Sequence, residues 1–145
     1  MVIGRYARNV APALERAATS PSSWVIGTLA GRWSILALDA LADGGCRFNA
    51  LHRTLEGINH KVLMETLYKL QREGYVAGPL TTEPDDGGPW FVRYDLTPLG
   101  RQLLALIEGI REWSVEHAPE LAAARSEFDQ RHARETATVA SAAEA

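Results

Sequence analysis

Residues 47–76 read RFNALHRTLEGINHKVLMETLYKLQREGYV, and the fold turns on this stretch. Phe48, Leu51 and Leu55 recur at helical intervals, which predicts a helix that Gly57 stops. Ile58 leads into Asn59, whose side-chain oxygen is suited to accept a bond from an unpaired N–H in a new first turn. A second helix follows as NHKVLMETLYKLQREG. Leu63, Leu67 and Leu70 make its inward stripe, while His60, Lys61, Met64, Glu65 and Tyr68 occupy its other faces. Two helices joined through Glu56-Gly57-Ile58 have the pattern of a helix-turn-helix, although many packed helical hairpins share it.

The downstream sequence sharpens the reading. Tyr75 to Thr82 and Trp90 to Leu96 have strand-like composition, and the EPDDGGP segment between them is dense in turn residues. A β-hairpin placed directly after the second helix is a wing. Thr97-Pro98 then supplies an N-cap followed by proline where a missing N–H costs nothing. Leu99, Leu103, Leu106, Ile107, Ile110 and Trp113 form a long stripe reaching about His117. Pro119 and ELAAARSEFDQRHAR predict a further helix, and the closing TATVASAAEA, low in bulk, is expected to be disordered.

Upstream, Cys46-Arg47-Phe48 is long enough for one ladder contact. Two short apolar helices precede it: WVIGTLA from Trp24, ending at Gly31, and WSILALDALADGG from Trp33, ending at Gly44-Gly45. Val10, Leu14 and Ala17 suggest a short amphipathic helix before a Ser/Pro break at 20–23. The expected fold is mainly α with a small antiparallel β-hairpin (α+β), a winged helix-turn-helix. Residues 1–20 are read as a dimerisation arm, 21–118 as the winged domain with its dimerisation helix, and 119–145 as an Ala-rich extension.

At 145 residues and 46% hydrophobic content, the chain suits one core. No run reaches the roughly 18–20 apolar residues of a membrane span, and the amino terminus shows no apolar signal core, so a cytoplasmic protein without a membrane partner is expected. A single cysteine excludes an internal disulfide framework and a cysteine-rich zinc site. His52, His60, His117 and His132 show no paired-ligand spacing, so neither metal nor cofactor is expected. Nor is there a Gly-x-Ser-x-Gly elbow, a phosphate-binding glycine loop or a supported cysteine–histidine arrangement, which argues against an enzyme.

The net charge of −3 is unevenly spread. Residues 44–76 carry five cations against three acids, whereas residues 77–97 carry Arg93 against Glu83, Asp85, Asp86 and Asp95. The mildly basic part therefore coincides with the helix pair.

Gly31-Arg32-Trp33, Arg47-Phe48-Asn49 through Leu51, Gly57-Ile58 with Lys61-Val62-Leu63, Leu67 through Leu70, Glu73-Gly74-Tyr75-Val76 and Tyr94-Asp95-Leu96-Thr97 with Leu99-Gly100 resemble motifs of the HxlR family, relatives of MarR-type winged helix proteins. The resemblance covers residues 24–116. It implies a bacterial transcriptional regulator, a homodimer that places two recognition helices in successive major grooves of double-stranded DNA. Three positions depart from the family pattern. Pro21-Ser22-Ser23-Trp24 stands where a cysteine is common, so thiol sensing there is not supported. Asn59 replaces a frequent serine with equivalent capping chemistry. The wing tip carries Glu83, Asp85 and Asp86 in place of basic residues, and an acidic tip does not favour phosphate.

Each candidate has two readings. His60 and Lys61, in the first turn of the recognition helix, are placed for bases and phosphates, or form a solvated helix start. Met64, Glu65 and Tyr68 either touch base edges or sugar, or are ordinary exposed side chains. Asn59 reads as a cap before a base reader. Arg47 and Asn49 stand where a helix entrance can hold phosphate, and Arg47 otherwise shields a strand edge. Arg93 reaches DNA or pairs with Asp95. Cys46 is a small buried hydrophobe, or a thiol whose pKa Arg47 lowers. Trp24, Trp33 and Trp113 line a pocket for a small aromatic effector, or serve packing. Leu103, Leu106, Ile107, Ile110 and Trp113 are the expected dimer interface. The competing functional class is a winged-helix protein without DNA binding, serving as a small-molecule or protein-interaction module.

Overall fold

The computed structural model describes residues 20–82 and 91–144. The helix expected around Val10, Leu14 and Ala17, the EPDDGGP turn and Trp90 lie outside the described residues.

The first helix, α1 (Pro21–Leu29), begins three residues before Trp24. Ser20 is the reason: its hydroxyl accepts a bond from Ser23 N–H at 3.3 Å, and Pro21 occupies the first helical position, where it needs no partner. Helix α2 (Arg32–Ala40) starts after Gly31, followed by α3 (Phe48–Thr54) and α4 (His60–Arg72). These elements bury Leu38 and Leu41 near the end of α2, Leu51 on α3, and Leu63, Leu67 and Leu70 on α4. Each such leucine contributes roughly 1.5–3 kcal/mol of burial, so the helix pair is anchored by its inner face.

Strands β1 (Val76–Thr82) and β2 (Phe91–Leu96) pair antiparallel from Val76 opposite Leu96 to Thr82 opposite Phe91. The register shifts between Ala77 and Leu80. Gly78 sits there with φ +144°, and a Cβ on it would lie 2.8 Å from Tyr94 Cδ1, so the shift needs a glycine. The single ladder contact expected upstream is present: Cys46 and Tyr94 exchange two backbone bonds of 2.9 Å each.

The wing follows the helix pair through a joint at the end of α4. Gly74, with φ +85°, ends α4, and Tyr75 N–H returns to Leu70 O at 2.9 Å. Thr97 Oγ1 donates to Gly74 O at 2.6 Å and accepts from Gly100 N–H at 3.0 Å. Helix α5 (Pro98–Glu116) thus starts directly on that joint, and a Cβ on Gly100 would collide with the Tyr75 carbonyl. The last element is α6 (Ala118–Glu144).

One expectation is corrected here. The stretch TATVASAAEA is not disordered up to Glu144 but continues α6. It is rich in alanine, the strongest helix former, and holds no glycine or proline to stop a helix already under way. The chain divides into two compact units between Ala105 and Leu106. The first unit holds the helix pair, the hairpin and the start of α5. The second holds the remainder of α5, where Ile107 is buried and Leu106, Ile110 and Trp113 are about half exposed, together with α6, which buries no residue. Among the described residues no helix is long and apolar enough to cross a membrane.

Candidate nucleic-acid interface

The outward face of α4 is built from its first turn. Asn59 adopts extended backbone angles and its Oδ1 accepts from Val62 N–H at 2.8 Å, the capping role read from the sequence. Beyond that cap, Leu63, Thr66, Leu67 and Leu70 turn inward and are buried. The buried Thr66 hydroxyl is satisfied within the helix by donating to Val62 O at 2.7 Å. With the inner face so filled, His60, Lys61, Met64, Glu65 and Tyr68 all face solvent. Tyr68 is 71% exposed, too open for a core role.

Within that face, Lys61 Nζ lies 3.9 Å from Glu65 one turn on, and both side chains are largely exposed. An exposed pair of this kind is worth at most about 1 kcal/mol, so the lysine remains available to a phosphate. His60 is exposed but not loose: its ring packs 4.6 Å from Phe48, tilted by 58°, and Phe48 in turn stacks on His52 at 6.4 Å. The helix entrance of α3 therefore sets the position of a side chain on α4. Sequence reading did not single out His52; its spacing of four residues from Phe48 was the available signal.

The remaining candidates lie around this face. Arg47 is the N-cap residue of α3 without a capping side-chain bond, and its guanidinium sits 4.1 Å over the Phe91 ring, which joins the helix pair to β2. Asn49 is exposed in the first turn of α3. Arg93 Nη2 lies 3.7 Å from Asp95, a carboxylate that Arg101 also approaches at 3.8 Å. Lys69 donates to Gly27 O at 3.4 Å.

Cys46 departs from one expectation. Its thiol is half-buried, and its pKa is raised, first by burial and then by the Asp95 carboxylate. Arg47 does not lower it, because the guanidinium is turned onto Phe91 instead. Trp33, with Arg32 5.0 Å over its ring, lines an open groove of about 240 Å³ shared with Val62, Glu65, Thr66 and Lys69 of α4. Trp24 is outside that lining and 53% exposed. Trp113, in the second unit, stacks on His117 at 4.3 Å. Among the described residues no cluster of His, Cys, Asp and Glu is grouped to hold a metal.

A capped helix with a buried back and an exposed polar face, preceded by a short helix and followed by a hairpin rooted at its end, is the winged helix-turn-helix of transcriptional regulators. More narrowly, the chain belongs to the HxlR-like helix-turn-helix family, whose model matches residues 28–122. It is 34% identical over 110 residues to YtfH of Escherichia coli K12, an uncharacterised HTH-type transcriptional regulator, covering 74% of this chain and 82% of that one. Among solved structures, it is similar to a transcriptional regulator assigned to the MarR family from Enterococcus faecalis V583 (TM-score 0.58, 28% identity, 68% of this chain and 86% of that one). It is also similar to the redox regulator HypR in its reduced form (TM-score 0.58, 26% identity, 72% and 99%).

Proposed function

We propose that the protein is a sequence-specific, DNA-binding transcriptional regulator that works in the cytoplasm as a homodimer, with α4 as its recognition helix. The observation that carries this reading is the exposed row His60, Lys61, Met64, Glu65 and Tyr68, held over a fully buried leucine stripe. A helix lying in the major groove presents its N-terminal side chains to base edges. The residue types suit that task. Lys61 meets phosphate or guanine, Met64 fits a thymine methyl, and Glu65 accepts from a cytosine amino group. Arg47 and Asn49 flank the row as phosphate contacts.

For the dimer, Leu106, Ile110 and Trp113 offer a half-exposed apolar row at four- and three-residue spacing on α5. Leu103 and Ile107 of the same stripe are buried within the chain and contribute by setting that row, not by direct contact. An aromatic effector fits best beside Trp33, since that groove is walled by α4 itself and occupancy there would bear on the recognition helix.

The test is a fluorescence titration of DNA from just upstream of the gene, with scrambled DNA as control, at several salt concentrations. The wild-type chain is expected to prefer the upstream sequence and to weaken with salt. Changing His60 and Lys61 to Ala together should cost about tenfold or more and flatten the salt dependence by roughly one phosphate contact. The groove beside Trp33 favours one second reading, a small-molecule module without DNA binding. Absence of binding to either DNA at low salt would select it.

A further inference from the structure

Residues 123–144 lie beyond the stretch that the family model matches, yet they continue a regular helix with no buried residue. Three large apolar side chains stand on it in solvent: Leu121, Phe128 and Val139. At about 100° per residue they fall within roughly 20° of one another around the axis. The positions between and beyond them complete a pattern. Ala118, Leu121, Arg125, Phe128, His132, Glu135, Val139 and Ala142 follow one another at alternating intervals of three and four, the seam of a two-stranded coiled coil.

That seam reads the same way in both directions about Gln130, and its chemistry chooses a direction. In an antiparallel pair centred there, Ala118 meets Ala142, Leu121 meets Val139, Phe128 meets His132, and Arg125 meets Glu135 of the other helix. Every large apolar residue has an apolar or aromatic counterpart, and each charge in the seam has its opposite. A parallel pair in register would instead place Arg125 on Arg125 and Glu135 on Glu135, two like-charge layers that oppose association. Phe128 is already stacked on His132 of its own helix at 5.9 Å, so the central layers are preformed as flat aromatic pairs.

We propose that α6 is a self-association element that pairs antiparallel with α6 of a second copy of this chain about Gln130. This goes beyond the DNA-binding reading and does not depend on it.

The test uses the full chain with Cys46→Ser, removing its one native thiol, and with Leu121→Cys and Val139→Cys introduced together. The two new thiols are about 27 Å apart along one helix, too far to bond within a copy. Under a glutathione redox buffer, peptide mapping should find the thiol at position 121 joined to the thiol at position 139 of another copy. Bonds of 121 to 121 and 139 to 139 would show a parallel pair and overturn the proposal, as would a chain that remains unlinked. Adding Arg125→Glu should cut the yield by about fivefold by setting one carboxylate against another, and adding Glu135→Arg to that variant should restore it. A yield indifferent to Arg125→Glu, or not rescued by the swap, would also overturn the seam.

Discussion

Helices α4 and α6 contrast in what lies behind their exposed faces. In α4, thirteen residues bury Leu63, Thr66, Leu67 and Leu70 and project five candidate DNA contacts from the other side. In α6, twenty-seven residues bury nothing. An outward face is held in position only as firmly as the inward face beneath it is packed, so α4 can present side chains in a fixed array while α6 must find a second surface to order its own. The contrast is broken most directly through its leucines. Leu67→Ala should lower the stability of the first unit by about 2–5 kcal/mol, and Leu121→Ala should change that unit's unfolding by less than about 0.5 kcal/mol. Urea denaturation followed by tryptophan fluorescence reads both. Equal effects would remove the distinction between an anchored and an unanchored helix.

A smaller effect sharpens it. Asn59→Ala removes the bond to Val62 N–H and should cost about 1 kcal/mol of stability, with DNA affinity falling because the first turn of α4 frays. Asn59→Ser keeps an oxygen at the cap. If its stability and its operator preference both match wild type, Asn59 acts as a cap; if stability is kept but preference changes, it reads a base.

How much of this was legible in the chain follows the same division. The stripe Leu63, Leu67, Leu70 and the cap Asn59 could be read because periodicity and local hydrogen bonding are properties of consecutive residues. The wing was legible from its strand-like runs, and a single ladder contact near Cys46 from a three-residue stretch, without its partner Tyr94. Partners brought together from distant positions were not. Phe48 packing on His60, Arg47 turning onto Phe91, and Trp33 walling a groove with α4 each join residues on different elements. The stripe on α5 shows the limit most clearly. Leu103 and Leu106 look alike in sequence, yet Leu103 is 5% exposed and Leu106 52%, because periodicity counts apolar positions without saying which of them meet a neighbour.

The smallest predicted effect concerns Cys46, on the strand-like contact between the helix pair and the wing. Its thiol stands in partly desolvated surroundings and near the Asp95 carboxylate, and both disfavour a second negative charge, so its pKa lies above the ordinary 9.0. Less thiolate is then present near neutrality, and since the thiolate is the reactive form, iodoacetamide should modify Cys46 several-fold more slowly than an unfolded copy of the chain. The sign for stability runs with it. A folded-state pKa raised above the unfolded one means that the fold favours the protonated thiol, a contribution fully present below pH 9.0 and lost as pH rises through the folded value. Replacing Asp95 with Asn removes the carboxylate and leaves the burial. Alkylation should then quicken modestly but stay slower than in the unfolded chain, since burial is the larger cause. A thiol that reacts as fast as in the unfolded chain would show that the Cys46–Tyr94 contact opens readily, and the tie between the entrance of α3 and the wing would lose its claim to rigidity.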